Sequence, residues 1–460
     1  MNRHSLWSYL TVGLPVVLFA AATTARAASI RVPDDAPTIQ AAIDLASDGD
    51  IVEIAPGTYT GDGNRDISFH GKSLRVQPAG APHSVLLQVN ATDLDLHRGF
   101  VFDQGEPPTA TLYGLRIELG GHVQGGAILI AGTASPTIES CQFDDNFAFE
   151  PWDGPPLDTQ VGGGALCIRD AAAPVIRDCV INRSATDFFG SAIYLEGSPS
   201  VSIVDSWITN SGKGQAIYVT GAARLDMLSC WVVNSRSGTI WLGASSHARL
   251  ENCVVADNGG HWAIRARHGA TLELVQSTVA SNVTNSAALE LAGAHASIVR
   301  SIVYGNCDVD GESGDLWLSA GSLEIVCCAL DPSGIEGDVD LEVGGPHVFA
   351  DPRFCDPESC PAGGLYGPLG SYSLEAYSSC LPENNLCGEQ IGALGMGCGT
   401  TSAIGACCLA GNECVITTAL NCGVRGGEFK GDGTSCEGSP CGEGTPAEER
   451  SWGEIKARYR

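Results

Sequence analysis

Methionine and basic residues are scarce in this chain, and long apolar runs are almost absent. Three methionines in 460 residues, beside 58 glycines, do not suit helix bundles. Frequent Gly among Val, Ile, Ala and Thr suits many short strands joined by tight corners. Lys and Arg number 25 against 53 Asp and Glu. That negative excess argues against nucleic acid and anionic membranes as partners, because both repel an acidic surface. It is compatible with neutral glycans, or with calcium bridging to acidic ones, and with plain solubility outside the cell. After the N-terminal stretch, no segment approaches membrane-spanning length. No cysteine precedes Cys141, whereas eleven of the 19 fall between Cys355 and Cys441.

The N-terminus carries the one long apolar run. Arg3 and His4 precede an uncharged stretch from Leu10 to Ala22, and Ala25-Arg26-Ala27 is a small-x-small cleavage site. Residues 1–27 therefore read as a secretory signal peptide, with the mature chain starting at Ala28 and no transmembrane segment within it. The signal holds two arginines and no acid, so its loss takes the net charge from −28 to −30. The expected location is secreted or at the cell surface, where the C-terminal crowd of cysteines forms disulfides.

The strongest signal is internal repetition. Asn210, Asn234, Asn258, Asn282 and Asn306 recur every 24 residues, each after a strand-like phrase such as SWITN or CWVVN. An anchor within that phrase is taken by Leu115, Cys141, Cys179, Ser206, Cys230, Cys253, Ser277, Ser301 and Cys328. A second phrase lies between anchors: AILI, ALCI, AIYL, AIYV, TIWL, AIRA, ALEL, DLWL. Two or three short strands per turn of about 24 residues describe a parallel β-helix. A leucine-rich repeat needs a helical segment and a recurring leucine phrase that are missing here, and a propeller needs a longer period. Ile128, Leu166, Ile193, Ile217, Ile240, Ile264, Leu289 and Leu316 are expected to form an inward ladder. The Cys and Ser anchors should form a second inward ladder, of buried small residues that bind no metal. The five asparagines should form one turn ladder. Residues 147–163 interrupt the spacing and read as a loop. Ile39, Ala42, Ile43 and Ala46 fall at helical spacing, predicting an N-terminal capping helix before a strand over Ile51 to Ile54.

The stretch Thr38–Tyr59, with its Pro56-Gly57-Thr58-Tyr59 turn, resembles the opening of bacterial right-handed β-helix proteins of the pectate-lyase-like superfamily. ADPRF (350–354), YSLEAYSSCL (372–381) and IGALG (391–395) are similar to their closing segment. The resemblance implies an all-β, right-handed parallel β-helix over 28–400. It implies no single chemistry, since that superfamily includes lyases, glycoside hydrolases, epimerases and adhesins. The polygalacturonase-like series Asn-Thr-Asp, Asp-Asp, Gly-His-Gly, Arg-Ile-Lys is not met in order. Residues 405–442 hold six cysteines and too few large apolar residues for a core of their own, so disulfides must staple them. Cys355 with Cys360, and Cys380 with Cys387, are near enough to close local loops. The basic tail, 443–460, resembles a sorting or attachment signal.

One alternation step from the core ladder lie Leu129, Cys167, Tyr194, Tyr218, Trp241, Arg265, Glu290 and Trp317. A row of rings in register fits the apolar faces of an extended sugar polymer. Trp207 and Trp231 form a second outward pair beside the anchors. Tyr194, Tyr218, Trp241, Trp317, Trp207 and Trp231 are thus the candidate binding residues for a polysaccharide or cell-surface glycan. If the face is catalytic, Arg265, Arg267, His268 and Glu290 are the candidates, as in a polysaccharide lyase or glycoside hydrolase with an unrecognised site. A structural or adhesive role is the third reading. Asp308, Asp310, Glu312 and Asp315 alternate around Gly311 and are candidate calcium ligands.

Overall fold

The computed structural model describes residues 27–150, 160–344, 346–357 and 369–398. In the C-terminal module it describes 404–409, 414–418, 422, 427–431, 434–436 and 441. The expected signal segment, the basic tail, the centre of the 147–163 loop and Cys360 lie outside the described residues.

The chain winds into a parallel β-solenoid of about 14 turns. Each complete turn contributes strands to three ladders. The turn at the middle of the stack runs Ile240–Leu242, His247–Glu251 and Val254–Ala256, then rises to Ile264–Arg267. All three pair parallel with the equivalent strands of the next turn. Alternation does the rest. In the first ladder Ile128 pairs with Leu166, and Ile193, Ile217, Ile240, Ile264, Leu289 and Leu316 follow one above another. All are sealed from solvent or nearly so. Full burial of such a side chain is worth about 1.5–3 kcal/mol, so the repeated Ile/Leu position is what makes each turn stack on the last.

The anchors behave as the sequence suggested. Cys141, Cys179, Ser206, Cys230, Cys253, Ser277, Ser301 and Cys328 are buried. A small side chain fits the corner, and its heteroatom has a task. Ser206 Oγ accepts the Cys179 amide at 3.1 Å, Ser277 Oγ accepts that of Cys253 at 3.1 Å, and Ser301 Oγ accepts that of Ser277 at 3.0 Å. Burial drives the Cys179 and Cys253 thiols far above their usual pKa, so they remain protonated.

The asparagine file splits in two. Asn210 and Asn234 lie three residues after the paired Trp207 and Trp231. Asn258, Asn282 and Asn306 lie four residues after Val254, Thr278 and Ile302. The 23-residue step between Cys230 and Cys253 shifts the phase by one, which equal asparagine spacing conceals. The first column is left-handed backbone: Leu119, Asp145, Arg183, Asn210, Asn234, Asp257 and Ser281 all have φ between 50° and 57°. The second is a buried amide stack. Asn258 Nδ2 donates to Asn282 Oδ1 at 2.9 Å, and Asn282 Nδ2 to Asn306 Oδ1 at 2.8 Å. Asn306 Nδ2 ends the stack on Asp315 Oδ1 at 2.7 Å.

At the N-terminal end the helix Ile39–Leu45, capped by Thr38, buries Ile39, Ala42 and Ile43 in the common core. A strand preceding it, Ser29–Val32, pairs with Ile51–Ile54. At the other end, Phe354, Tyr372, Leu374, Leu381 and Ile391 pack on the outer side of the third ladder, against Val254, Ala256, Ala280, Ile302 and Ala329. Its disulfides are long-range rather than local: Cys327–Cys387 and Cys355–Cys398, while Cys380 is a buried free thiol. The expected local loops therefore do not form, because Cys355 and Cys387 face distant strands. The last module is held by Cys407–Cys422, Cys408–Cys441 and Cys414–Cys436 around a small antiparallel sheet.

Candidate functional site

The outward column of the first ladder keeps its register throughout, from Leu129 beside Cys167 to Glu290 beside Trp317. Exposure divides it. Cys167 and Tyr194 are fully buried. The loop that returns at Gln160 covers Tyr194, whose hydroxyl donates to Gln160 Oε1 at 2.7 Å. Phe189 lies 6.2 Å away, ring to ring. Burial raises the Tyr194 phenol far above its usual pKa. Tyr194 is thus a covered packing residue and offers no face to a ligand.

Beyond it the column opens. Tyr218 packs on Phe189 at 4.7 Å and lies parallel to Trp241, 5.7 Å away with 4° between planes. Trp241 is half-buried. Its other neighbour is the buried Trp262, at 5.5 Å. The Arg265 guanidinium sits 4.2 Å over Trp262 and 5.1 Å over Trp241. Both Arg265 and Arg267 reach Glu290 Oε1, at 2.6 and 2.5 Å. Burial pushes the Glu290 carboxyl above its ordinary range, while Arg267 and His261 pull it back. Opposite charges this close and this sheltered hold the side chains in one geometry, and the rings add cation–π contacts. A protein-wide acidic charge thus gives way locally to two guanidiniums, one carboxylate and stacked indoles.

A family of proteins described as containing a right-handed β-helix region matches residues 126–303. Over those residues the chain has the right-handed parallel β-helix fold that the family model describes. No curated protein matches it in sequence. Among solved structures, pectate lyase Pel9A is 14% identical, over 78% of this chain and 90% of that one, with a TM-score of 0.47. The Dettilon tailspike protein is 12% identical, over 69% of this chain and 68% of that one, with a TM-score of 0.33.

The remaining predicted residues of the β-helix are placed as follows. Trp317 extends the open column one turn past Glu290 and is half-buried. His268 is exposed, in left-handed backbone (φ 56°) at the corner after Arg267. Among the described residues it joins no hydrogen bond or ion pair with the Glu290 group. Trp207 and Trp231 stack on each other at 4.7 Å, 6° from parallel, but on the third ladder. There Leu369 of the closing segment packs over both. They are covered by their own chain, since an outward apolar row needs shielding from water and this segment supplies it. Asp308, Asp310, Glu312 and Asp315 do not converge. Asp308 Oδ1 is occupied by the amides of Asp310 and Glu312, both at 2.9 Å, while Asp315 is buried at the end of the amide stack. Among the described residues no three His, Cys, Asp or Glu side chains form a metal-binding group.

Sequence reasoning missed Trp262 and His261. His261 is exposed beside Trp262 and accepts from Asn285 Nδ2 at 2.8 Å. Both immediately precede the AIRA phrase, so they lie outside the alternating pattern that exposed the others.

Proposed function

We propose that this β-helix binds an extended carbohydrate along the open part of the first ladder, with Tyr218, Trp241, Arg265, Arg267 and Trp317 as the contact surface and the buried Glu290 holding the two arginines in place. The carrying observation is Trp241: an indole with a free margin, backed by a parallel Tyr218 and flanked by two guanidiniums fixed on Glu290. An indole offers the C–H face of a sugar ring a flat apolar partner, and the guanidiniums supply donors for its hydroxyls. Strands one turn apart lie about 4.8 Å from each other, and the Tyr218 and Trp241 rings they carry are 5.7 Å apart, so the row suits a chain molecule lying along the axis. Glu290 is engaged by both arginines, which favours a positioning role for it over proton transfer in the unliganded state.

Secretion belongs to the same proposal. It is supported by five disulfides among the described residues and by the N-terminal pattern. No helix among the described residues is long and apolar enough to cross a membrane.

The test is a glycan array probed with the full chain and with Trp241→Ala. Wild type should retain one or a few polymers, and the variant should lose them by about tenfold, which corresponds to about 1.4 kcal/mol of binding free energy. Equal retention by both would refute the assignment of this face. Incubation with uronate polymers, monitored for unsaturated products with and without calcium, addresses the lyase alternative.

A further inference from the structure

A second basic cluster lies lower on the same face and serves none of the contacts described so far. Arg98 stands two residues before the strand Phe100–Phe102, and only 6% of it is exposed. Its amide donates to Asp66 Oδ1 at 3.0 Å. Its guanidinium has no hydrogen bond or ion pair among the described residues. Asp66, the nearest acid in charge terms, is already occupied: its Oδ2 bonds His97 Nδ1 at 2.5 Å.

Two further donors around Arg98 are also unsatisfied. Nδ1 of His122 and Nε of Arg169 are sealed without a hydrogen-bonding partner. Arg169 is held in place through Nη1, which donates to Gln124 Oε1 at 3.2 Å, and by a long, solvent-exposed ion pair from Nε to Asp170 Oδ2 at 3.8 Å. Arg98 is close enough to Arg169 and His122 for each pair to repel protonation, and burial together with that repulsion brings Arg98 down to about 10 and His122 down to about 4. The adjacent Cys167 thiol is no counter-ion, because burial pushes it up to about 12. A guanidinium on a side chain this deeply buried, with no protein partner and only its tip reaching solvent, is unfavourable, and two arginines beside a neutral imidazole repel each other. One negatively charged group with several acceptor oxygens would satisfy all three.

We propose that Arg98, Arg169 and His122 form a binding site for an oxyanion, a carboxylate or sulfate group, supplied either as a free anion or as a substituent on a glycan. The guanidinium of Arg98 is the principal donor, Arg169 is positioned by Gln124, and His122 contributes a neutral N–H donor. The proposal does not depend on the Trp241 face: its readout is stability, and Trp241→Ala leaves it in place.

The experiment compares thermal unfolding of the full chain and of Arg98→Met at constant ionic strength, with sodium chloride as reference. The additives are sodium sulfate, sodium acetate, sodium glucuronate and glucose. In chloride alone, the Met variant should unfold at the same or a higher temperature than wild type, since an apolar side chain replaces an unpaired charge. Saturating oxyanion, about a hundredfold above its Kd, should raise the wild-type midpoint by about 3 °C more than that of the variant. A difference with sulfate or acetate but not glucuronate identifies a free anion. A difference with glucuronate and none with glucose identifies a sugar-borne carboxylate. Equal shifts in both proteins for every additive would overturn the site. If the Met variant does not fold, titrating wild type with sulfate while following arginine Nε–H resonances reads the same contact, and unmoved resonances would be the negative result.

Discussion

Replacing Asp315 by asparagine should stabilise the protein above neutral pH and weaken it in acid. Asp315 stands where the amide stack would place another asparagine: Oδ1 accepts the Asn306 amide at 3.0 Å and its Nδ2 at 2.7 Å. Oδ2 is buried without a hydrogen-bonding partner. Burial raises this carboxyl from 3.8 to about 7. The sign follows from linkage. Below 3.8 the group is neutral in both the folded and the unfolded chain. As pH climbs past 3.8 the unfolded chain ionises first, so stability is lost progressively until about 7, where the folded carboxyl ionises too. At 1.36 kcal/mol per pKa unit, the loss amounts to about 4 kcal/mol. Asparagine keeps the acceptor but leaves its own Nδ2 unpaired, which costs about 1–3 kcal/mol. The net gain at about pH 8 is therefore about 1–3 kcal/mol, whereas at about pH 4, where only about 0.6 kcal/mol of the loss has accrued, the variant should be weaker than wild type by about 0.5–2.5 kcal/mol. Guanidinium unfolding followed by tryptophan fluorescence at both pH values measures this. A stability difference between variant and wild type that is the same at the two pH values would refute the reasoning.

Two other perturbations test the architecture. Asn282→Leu removes three donations from Nδ2, to Val255 O at 2.9 Å, Ala280 O at 3.1 Å and Asn306 Oδ1 at 2.8 Å. It also strands the Asn258 side chain, so denaturant unfolding should show a loss of about 3–5 kcal/mol. Tyr372→Phe deletes the hydroxyl that bonds Asp257 Oδ1 and leaves Gly370 N on Oδ2 at 3.0 Å. Proteolysis should cut the closing segment faster by about five- to thirtyfold, equivalent to about 1–2 kcal/mol, with the stack of turns left intact.

Much of the solenoid was legible because one position repeats the same demand. Ile193, Ile217, Ile240 and Ile264 meet the same interior at each turn, so the pattern is written many times. The asparagines misled for a related reason: equal spacing along the chain is not equal position on the turn when one turn is a residue shorter. The outward column was legible as a column, but its accessibility was not. Tyr194 and Trp207 obey the same alternation as Trp241, yet Gln160 covers the first and Leu369 the second. Covers are made by chain far away in sequence, and periodicity carries no information about them. Trp262 and Arg98 escaped notice because each occupies the connecting segment before a strand, where the repeat is least regular.

The segment that runs back from the last turns has a mechanical consequence. A stack of repeats touches only its neighbours and can fray turn by turn from an open end. Here Cys387 is bonded to Cys327, Gly392 N reaches Arg300 O at 2.8 Å, Ala393 N reaches Thr278 Oγ1 at 3.1 Å, and Leu369 rests on Val180 and Trp207. One strap thus crosses turns separated by more than a hundred residues of sequence. Peeling the final turn requires lifting the strap from the others, so the carboxyl-terminal half of the rod should unravel as a single block, while the amino-terminal half remains free to loosen on its own.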